Sequence, residues 1–164
     1  MSIINQVNKA SNARIIMSSI STEKKNVVLR NIANAIKNHE KKIKDANKID
    51  IEQAKKNKLK ITLIKRLKID NDKINEIVQN LISVATLEDP VNKVISKTKL
   101  DDDLILEKIS CPIGLIGVIF ESRPDALVQI SSLCLKSGNC VLLKGGSESL
   151  NTNKILFKII KDEY

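Results

Sequence analysis

Two short runs hold the side chains best suited to chemistry, Phe120-Glu121-Ser122-Arg123 and Lys144-Gly145-Gly146-Ser147. Each gathers small, polar and charged groups at the end of an apolar stretch. A hydroxyl, a guanidinium fork and an ammonium placed this way suit a phosphate or a ribose. All five glycines fall within residues 111–147, and the first hundred residues have none. Glycine marks places where the backbone needs positive φ or must let another group come close. Other reactive side chains are few: Cys111, Cys134, Cys140 and a single histidine, His39. The cysteines show no close paired spacing and the histidine is remote in sequence, so no zinc site is expected.

The elements that must hold these groups can be read from apolar periodicity. Residues 3–19 form a helix with Ile3, Val7, Ala10, Ala13 and Met17 on one face. Ser21 or Thr22 caps a second, long helix along which Val28, Ile32, Ala35, Ile36, His39, Ile43 and Ala46 follow one another. His39 on that stripe reads as a packed, hydrogen-bonded histidine, since no acid–base partner is near it in sequence. Residues 55–60 are a solvated helix end plus loop, and residues 59–67 a short helix. Asp70 or Asn71 caps the next helix, which carries Ile74, Ile77, Val78, Leu81 and Ile82. Pro90 closes the helical region. Val94-Ile95 and Leu104-Ile105-Leu106 then make a hairpin around Asp101-Asp102-Asp103.

From residue 115 the pattern becomes β-α-β-α. A buried strand over 115–120 leads to a helix with Pro124 in its first turn. Ala126, Leu127, Ile130, Leu133 and Cys134 face one way, and Gly138 supplies the left-handed residue at its end. Residues 140–144 form the second strand, and Ser147 caps a last helix with Leu150, Ile155, Leu156, Ile159 and Ile160. Strands so connected pair in parallel, and ligands in such folds sit beyond the carboxyl ends of the strands. The dinucleotide fingerprint is missing, because Gly114 and Gly117 precede or begin a strand rather than follow one. On the residues alone, a nucleotide site and a plain structural β-α-β both stay open.

Composition narrows the class. A chain of 164 residues with 42% hydrophobic and 2% aromatic residues builds its core from Ile, Leu and Val. The net charge of +9 comes from lysines, with arginine only at positions 14, 30, 66 and 123. Groove readers favour Arg, so the charge reads as a solvated surface and no nucleic-acid partner is expected. No apolar run reaches the roughly 20 residues of a membrane span. Ile3-Ile4 is followed at once by Asn5-Gln6, so no signal segment is expected. Three cysteines without such a segment fit reduced thiols and a cytoplasmic location.

Several stretches carry a resemblance. Residues 112–124, Pro112 through Phe120-Glu121-Ser122-Arg123-Pro124, together with Ser132-Leu133-Cys134-Leu135-Lys136-Ser137-Gly138-Asn139 and Leu143-Lys144-Gly145-Gly146-Ser147-Glu148, resemble the γ-glutamyl phosphate reductase family. Leu87-Glu88-Asp89-Pro90-Val91 and Asn47-Lys48-Ile49-Asp50 extend the likeness over the whole chain. The resemblance implies an α/β fold. N-terminal helices (1–90) would be followed by a β-hairpin with candidate oligomerisation strands (91–111). Residues 112–164 would then form the first β-α-β of an aldehyde dehydrogenase-type Rossmann-like domain.

It also implies NADPH-dependent reduction of γ-glutamyl phosphate to glutamate 5-semialdehyde in proline biosynthesis. A cysteine thiolate would displace phosphate to give a thioester, and hydride from NADPH would release the aldehyde. Phe120, Glu121 and Ser122 match the strand end that flanks the dinucleotide. Ser122 stands where aldehyde dehydrogenases place an asparagine that contacts the oxyanion. Lys144 matches the lysine at the adenosine ribose. Ser147 stands where NAD-preferring relatives carry a glutamate, which favours NADPH, although Glu148 is adjacent. Arg123 reads equally as a substrate contact or as a salt bridge anchoring the strand–helix turn.

Family members are longer, and none of the three cysteines matches the catalytic one. Each reads as a small hydrophobe. The expectation is an N-terminal portion, inactive alone and either homo-oligomeric or complemented by the rest of the fold. The rival is a non-catalytic binding or oligomerisation module.

Overall fold

The computed structural model describes residues 2–163, so Tyr164, at the expected helix end, lies outside the described residues. Five helices come first: α1 (Ile3–Ser18), α2 (Thr22–Asn38), α3 (Glu40–Lys56), α4 (Ile61–Leu67) and α5 (Asn71–Thr86). The antiparallel hairpin β1 (Val94–Asp101) and β2 (Leu104–Ile109) follows. Then come β3 (Leu115–Phe120), α6 (Pro124–Lys136), β4 (Cys140–Gly145) and α7 (Leu150–Asp162). β3 and β4 pair in parallel, with Leu115 opposite Cys140 and Phe120 opposite Gly145. The core lies between helices. Leu29, Ile32 and Ile36 of α2 meet Ile74, Ile77 and Leu81 of α5, and Leu127, Val128, Leu156 and Ile160 close it from α6 and α7.

Local chemistry explains most of the boundaries. Ser21 caps α2 by accepting from Lys24 N at 3.3 Å, and Asp70 caps α5 by accepting from Lys73 N at 3.0 Å. Pro124 occupies the first turn of α6, where its missing N–H costs nothing. Gly138 adopts φ +69° after that helix. Its N–H donates to Leu135 O and that of Asn139 to Cys134 O, which satisfies the last carbonyls.

Five expectations need correction. The long second helix is two helices broken at His39, whose backbone departs from helical values at φ −101°, ψ 16°. Its Nδ1 lies 2.9 Å from Ala35 O. A carbonyl only accepts, so Nδ1 carries the proton there. The expected apolar face of α1 is largely uncovered: Met17 is buried, but Ile3 is 77% exposed because nothing packs over that end. The strand β3 is not buried throughout, since with one neighbour its sheet leaves Ile119 81% exposed. On α6, Leu133 faces solvent while Val128, Ser131, Ser132 and Leu135 are buried, because α2, α5 and α7 cover a face rotated from the expected one.

The start of α7 differs most. Residues Ser147–Ser149 form a 3-10 turn, and no side chain of that turn caps the helix. The cap comes from α3. The Asp50 carboxylate accepts from Asn151 N (3.1 Å), Asn151 Nδ2 (2.8 Å), Thr152 N (2.8 Å) and Thr152 Oγ1 (2.6 Å). One turn away on α3, Asn47 donates to Leu67 O and Thr152 Oγ1 and accepts from Ile69 N.

A second polar knot joins α2, α6 and the segment before the hairpin. Lys25 Nζ lies 2.8 Å from Asp89 Oδ2, which also accepts from Thr22 Oγ1 at 2.7 Å. Lys136 Nζ donates to Asn26 Oδ1 and Ala85 O. Burial would raise the Asp89 carboxyl, but the hydrogen bonds from Lys25, Val91 N and Thr22 hold it below the ordinary range. Burial pushes the Lys136 ammonium down. At the head of α6, burial likewise opposes the charged form of Asp125, yet Arg123 and Lys73 hold its carboxyl low.

Two outcomes follow. Asp50→Ala leaves buried donors of α7 unpaired and is expected to lower unfolding free energy by about 3 kcal/mol, measured by urea denaturation; a loss below about 0.5 kcal/mol contradicts this role. For Asp89 and Asp125 the folded pKa lies below the ordinary 3.8. Their contribution is therefore complete above that value and is lost as pH falls through the folded value. Stability measured against pH should fall on acidification below it, and Asp125→Asn should flatten that acid limb. An unchanged limb in the variant would show that Asp125 is not one of the groups responsible.

Candidate functional site

The parallel register sets the ends of β3 and β4 side by side, so the two chemistry-bearing runs of the sequence meet at one edge. They meet through Ser122 and Glu148. Ser122 is 5% exposed and holds a left-handed backbone at φ +48°. Its backbone N–H and its hydroxyl both donate to Glu148 Oε1, the hydroxyl at 3.0 Å. Burial alone would raise the Glu148 carboxyl. Hydrogen bonds from its own backbone N–H and from Ser122, with the Lys144 charge nearby, hold it below the usual carboxylate range.

The two glycines make room for this arrangement. A Cβ on Gly146 would overlap the Glu148 carboxylate, and one on Gly145 would overlap the Asn153 amide. Asn153 Nδ2 donates to Ser149 Oγ at 2.9 Å, while the Ser149 hydroxyl donates to Gly146 O at 3.3 Å. That chain of donors fixes the amide orientation and leaves Asn153 Oδ1 buried without a partner. An unpaired buried acceptor is uncommon and calls for an explanation.

The remaining sequence-selected residues surround this edge. Phe120 is half-buried against the core. Glu121, Lys144 and Ser147 are exposed, and Lys144 Nζ reaches only Gly145 O, at 3.1 Å. Arg123 Nη2 is 3.0 Å from the buried Asp125 carboxylate, with half its side chain in solvent. Cys111 is exposed, Cys134 buried and Cys140 intermediate, and burial pushes the thiols of the latter two up. His39 is remote, bonded within its own helix junction.

Sequence reasoning missed the part played by Glu148, Asn153 and Asp50. Glu148 stood beside Ser147, and Asp50 within a stretch that carried the resemblance, whereas Asn153 carried no signal.

A cleft of about 610 Å³ lies elsewhere, between α3 and the start of α5, with Lys44, Lys48, Lys55 and Lys68 on its walls. Its lysines alternate with carboxylates and it lacks convergent polar groups, so the strand ends are the better site. Among the described residues no group of His, Cys, Asp and Glu could hold a metal ion, and no helix is long and apolar enough to cross a membrane.

No protein-family model matches the chain. The γ-glutamyl phosphate reductase of Ruminiclostridium cellulolyticum is 53% identical over 150 residues, covering 92% of this chain and 35% of that protein. That of Brachyspira hyodysenteriae is 49% identical over 166 residues, covering 99% and 38%. The chain thus spans little more than a third of the length of these relatives. Among solved structures, γ-glutamyl phosphate reductase from Saccharomyces cerevisiae superposes with a TM-score of 0.95 at 42% identity, over 99% of this chain and 42% of that one. The Thermotoga maritima structure gives 0.94 at 36% identity, over 98% and 39%. A probable aldehyde dehydrogenase from Listeria monocytogenes, 14% identical with a TM-score of 0.63 over 97% of this chain and 32% of that one, shares the fold. In sequence and in backbone, the chain is similar to the N-terminal part of the γ-glutamyl phosphate reductases.

Proposed function

We propose that this chain forms the cofactor-facing N-terminal part of an enzyme that reduces γ-glutamyl phosphate to glutamate 5-semialdehyde with NADPH, in the cytoplasm, as a step of proline biosynthesis. The observation that carries this reading is the meeting of the two polar runs at the carboxyl ends of β3 and β4, the edge where open α/β sheets receive ligands. NADPH, when bound, supplies the hydride. The chain's own residues bind and orient. Lys144 extends its ammonium into solvent beside the edge, held only by a neighbouring carbonyl, and is free to turn to a phosphate or ribose. Ser147 offers an exposed hydroxyl where a carboxylate would repel a 2′-phosphate. The carboxylate that is present, Glu148, is turned inward onto Ser122. Arg123 anchors the turn through Asp125 and keeps outward N–H groups for a substrate carboxylate or phosphate.

The nucleophile is assigned to polypeptide outside this chain. Burial raises the thiols of Cys134 and Cys140, the reverse of what a thiolate nucleophile needs. The hairpin is assigned to contacts between subunits. Ile95, Leu104, Ile105 and Leu106 are each 56–62% exposed, an apolar surface that none of the described residues covers.

Three experiments test these assignments. Adenosine 2′,5′-bisphosphate, titrated into the labelled chain, should shift backbone amides at 144–148, and Ser147→Glu should weaken binding about tenfold by like-charge repulsion. The same chain should show no phosphate-dependent reduction of NADP⁺ with glutamate 5-semialdehyde. Robust turnover, or binding indifferent to Ser147→Glu, would overturn the reading. For the hairpin, sedimentation of the chain should show self-association that Leu104→Lys with Leu106→Lys abolishes; a monomer before and after substitution argues against the contact.

A further inference from the structure

We propose that the donor pair of Ser122 is an anion site which the chain fills with its own Glu148 carboxylate, and that a phosphate group enters by displacing it. The proposal rests on the assignment of the strand ends as the ligand edge, and adds to it a built-in competitor. The backbone N–H and hydroxyl of Ser122 converge on a single oxygen, Glu148 Oε1. Phosphate oxygens are acceptors of the same kind and bring more charge. The Ser122 side chain is sequestered, so these donors reach only what lies between the two strand ends.

Three features make the carboxylate a removable occupant rather than a fixed part of the core. Glu148 is held in a three-residue 3-10 turn, not in a helix or strand. The carboxylate rests against Gly146, whose missing side chain is the space that it uses. Lys144, whose charge acts on that carboxylate, bonds no carboxylate among the described residues and is free to follow a larger anion.

Two variants remove the competitor by different routes. Glu148→Ala deletes the carboxylate. Gly146→Ala keeps it but fills its seat; the Gly146 backbone, at φ −69°, accepts a side chain without strain. Inorganic phosphate is titrated into the labelled full chain and read at the Ser122 amide by heteronuclear NMR, with spectral dispersion reporting the fold. Both variants are expected to bind phosphate about tenfold more tightly than the parent, the worth of one charge-assisted hydrogen bond released, with Ser122 among the most shifted amides. Should Glu148→Ala unfold the chain, Gly146→Ala decides alone.

Two organic probes identify the source of the phosphate. Adenosine 2′,5′-bisphosphate represents the cofactor and acetyl phosphate an acyl phosphate substrate, and the one that moves the Ser122 amide in Gly146→Ala names the ligand. Equal phosphate affinity in parent and variants overturns the proposal, as does a Ser122 amide that neither organic probe moves. If adenosine 2′,5′-bisphosphate shifts only residues 144–148 and acetyl phosphate moves nothing, the ligand edge stands and the displacement does not. If inorganic phosphate and acetyl phosphate move Ser122 but the bisphosphate binds nowhere, the anion site stands and the cofactor assignment fails.

Discussion

One carboxylate sets the position of the ligand edge. Asp50, on α3, holds the first turn of α7 from 102 residues away in sequence. The segment between β4 and α7 contains Gly146, Ser147, Glu148 and Ser149. Its far end is fixed only because Asp50 takes up the donors that the turn itself leaves unmet. A helix start satisfied by a local serine would let this turn move with the strand. A start satisfied from α3 ties it to the helical body instead. The position of Glu148, and so of whatever meets Ser122, is therefore inherited from the packing of α3 against α7.

Burial of charge does a related task at the opposite end of α6. Lys25, Asp89 and Lys136 are all nearly excluded from water, two cations to one anion, and the surplus is met by backbone carbonyls and the Asn26 amide. Such clusters add little net stability relative to an apolar filling, but they tolerate few alternative arrangements. Here the arrangement joins α2, the end of α6 and the residues that lead into the hairpin. With Asp125 paired to Arg123 and Lys73 at its head and Lys136 bonded to Asn26 and Ala85 O at its end, α6 is held at both termini by buried polar contacts. The loop before it, where Ser122 bends back, has little freedom left.

The elements that sequence placed well are those whose causes are local. The caps at Ser21 and Asp70, the proline at the head of α6 and the left-handed Gly138 each act within a few residues of their own position. What sequence could not show was anything decided by a distant neighbour. His39 sits on an unbroken apolar stripe, yet the chain turns there. Ser147 has the composition of a cap, yet the cap is Asp50. β3 has the composition of a buried strand, but Ile119 meets nothing on its outer side. At the site, the two polar runs and their approach to each other were legible, because a parallel β-α-β must align its strand ends. The bond between Ser122 and Glu148 was not, since it joins two loops across a register that only folding creates. Nor was Asn153, an ordinary helix-surface asparagine until Gly145 brings the strand against it.

The cysteines have a practical side. Cys134 is buried and Cys140 half-buried, and burial pushes both thiols up, while Cys111 lies open to solvent. It stands between the end of β2 and the start of β3, at the joint where the hairpin leaves the body. A maleimide-borne spin label or fluorophore would thus attach preferentially at this junction without any engineered residue.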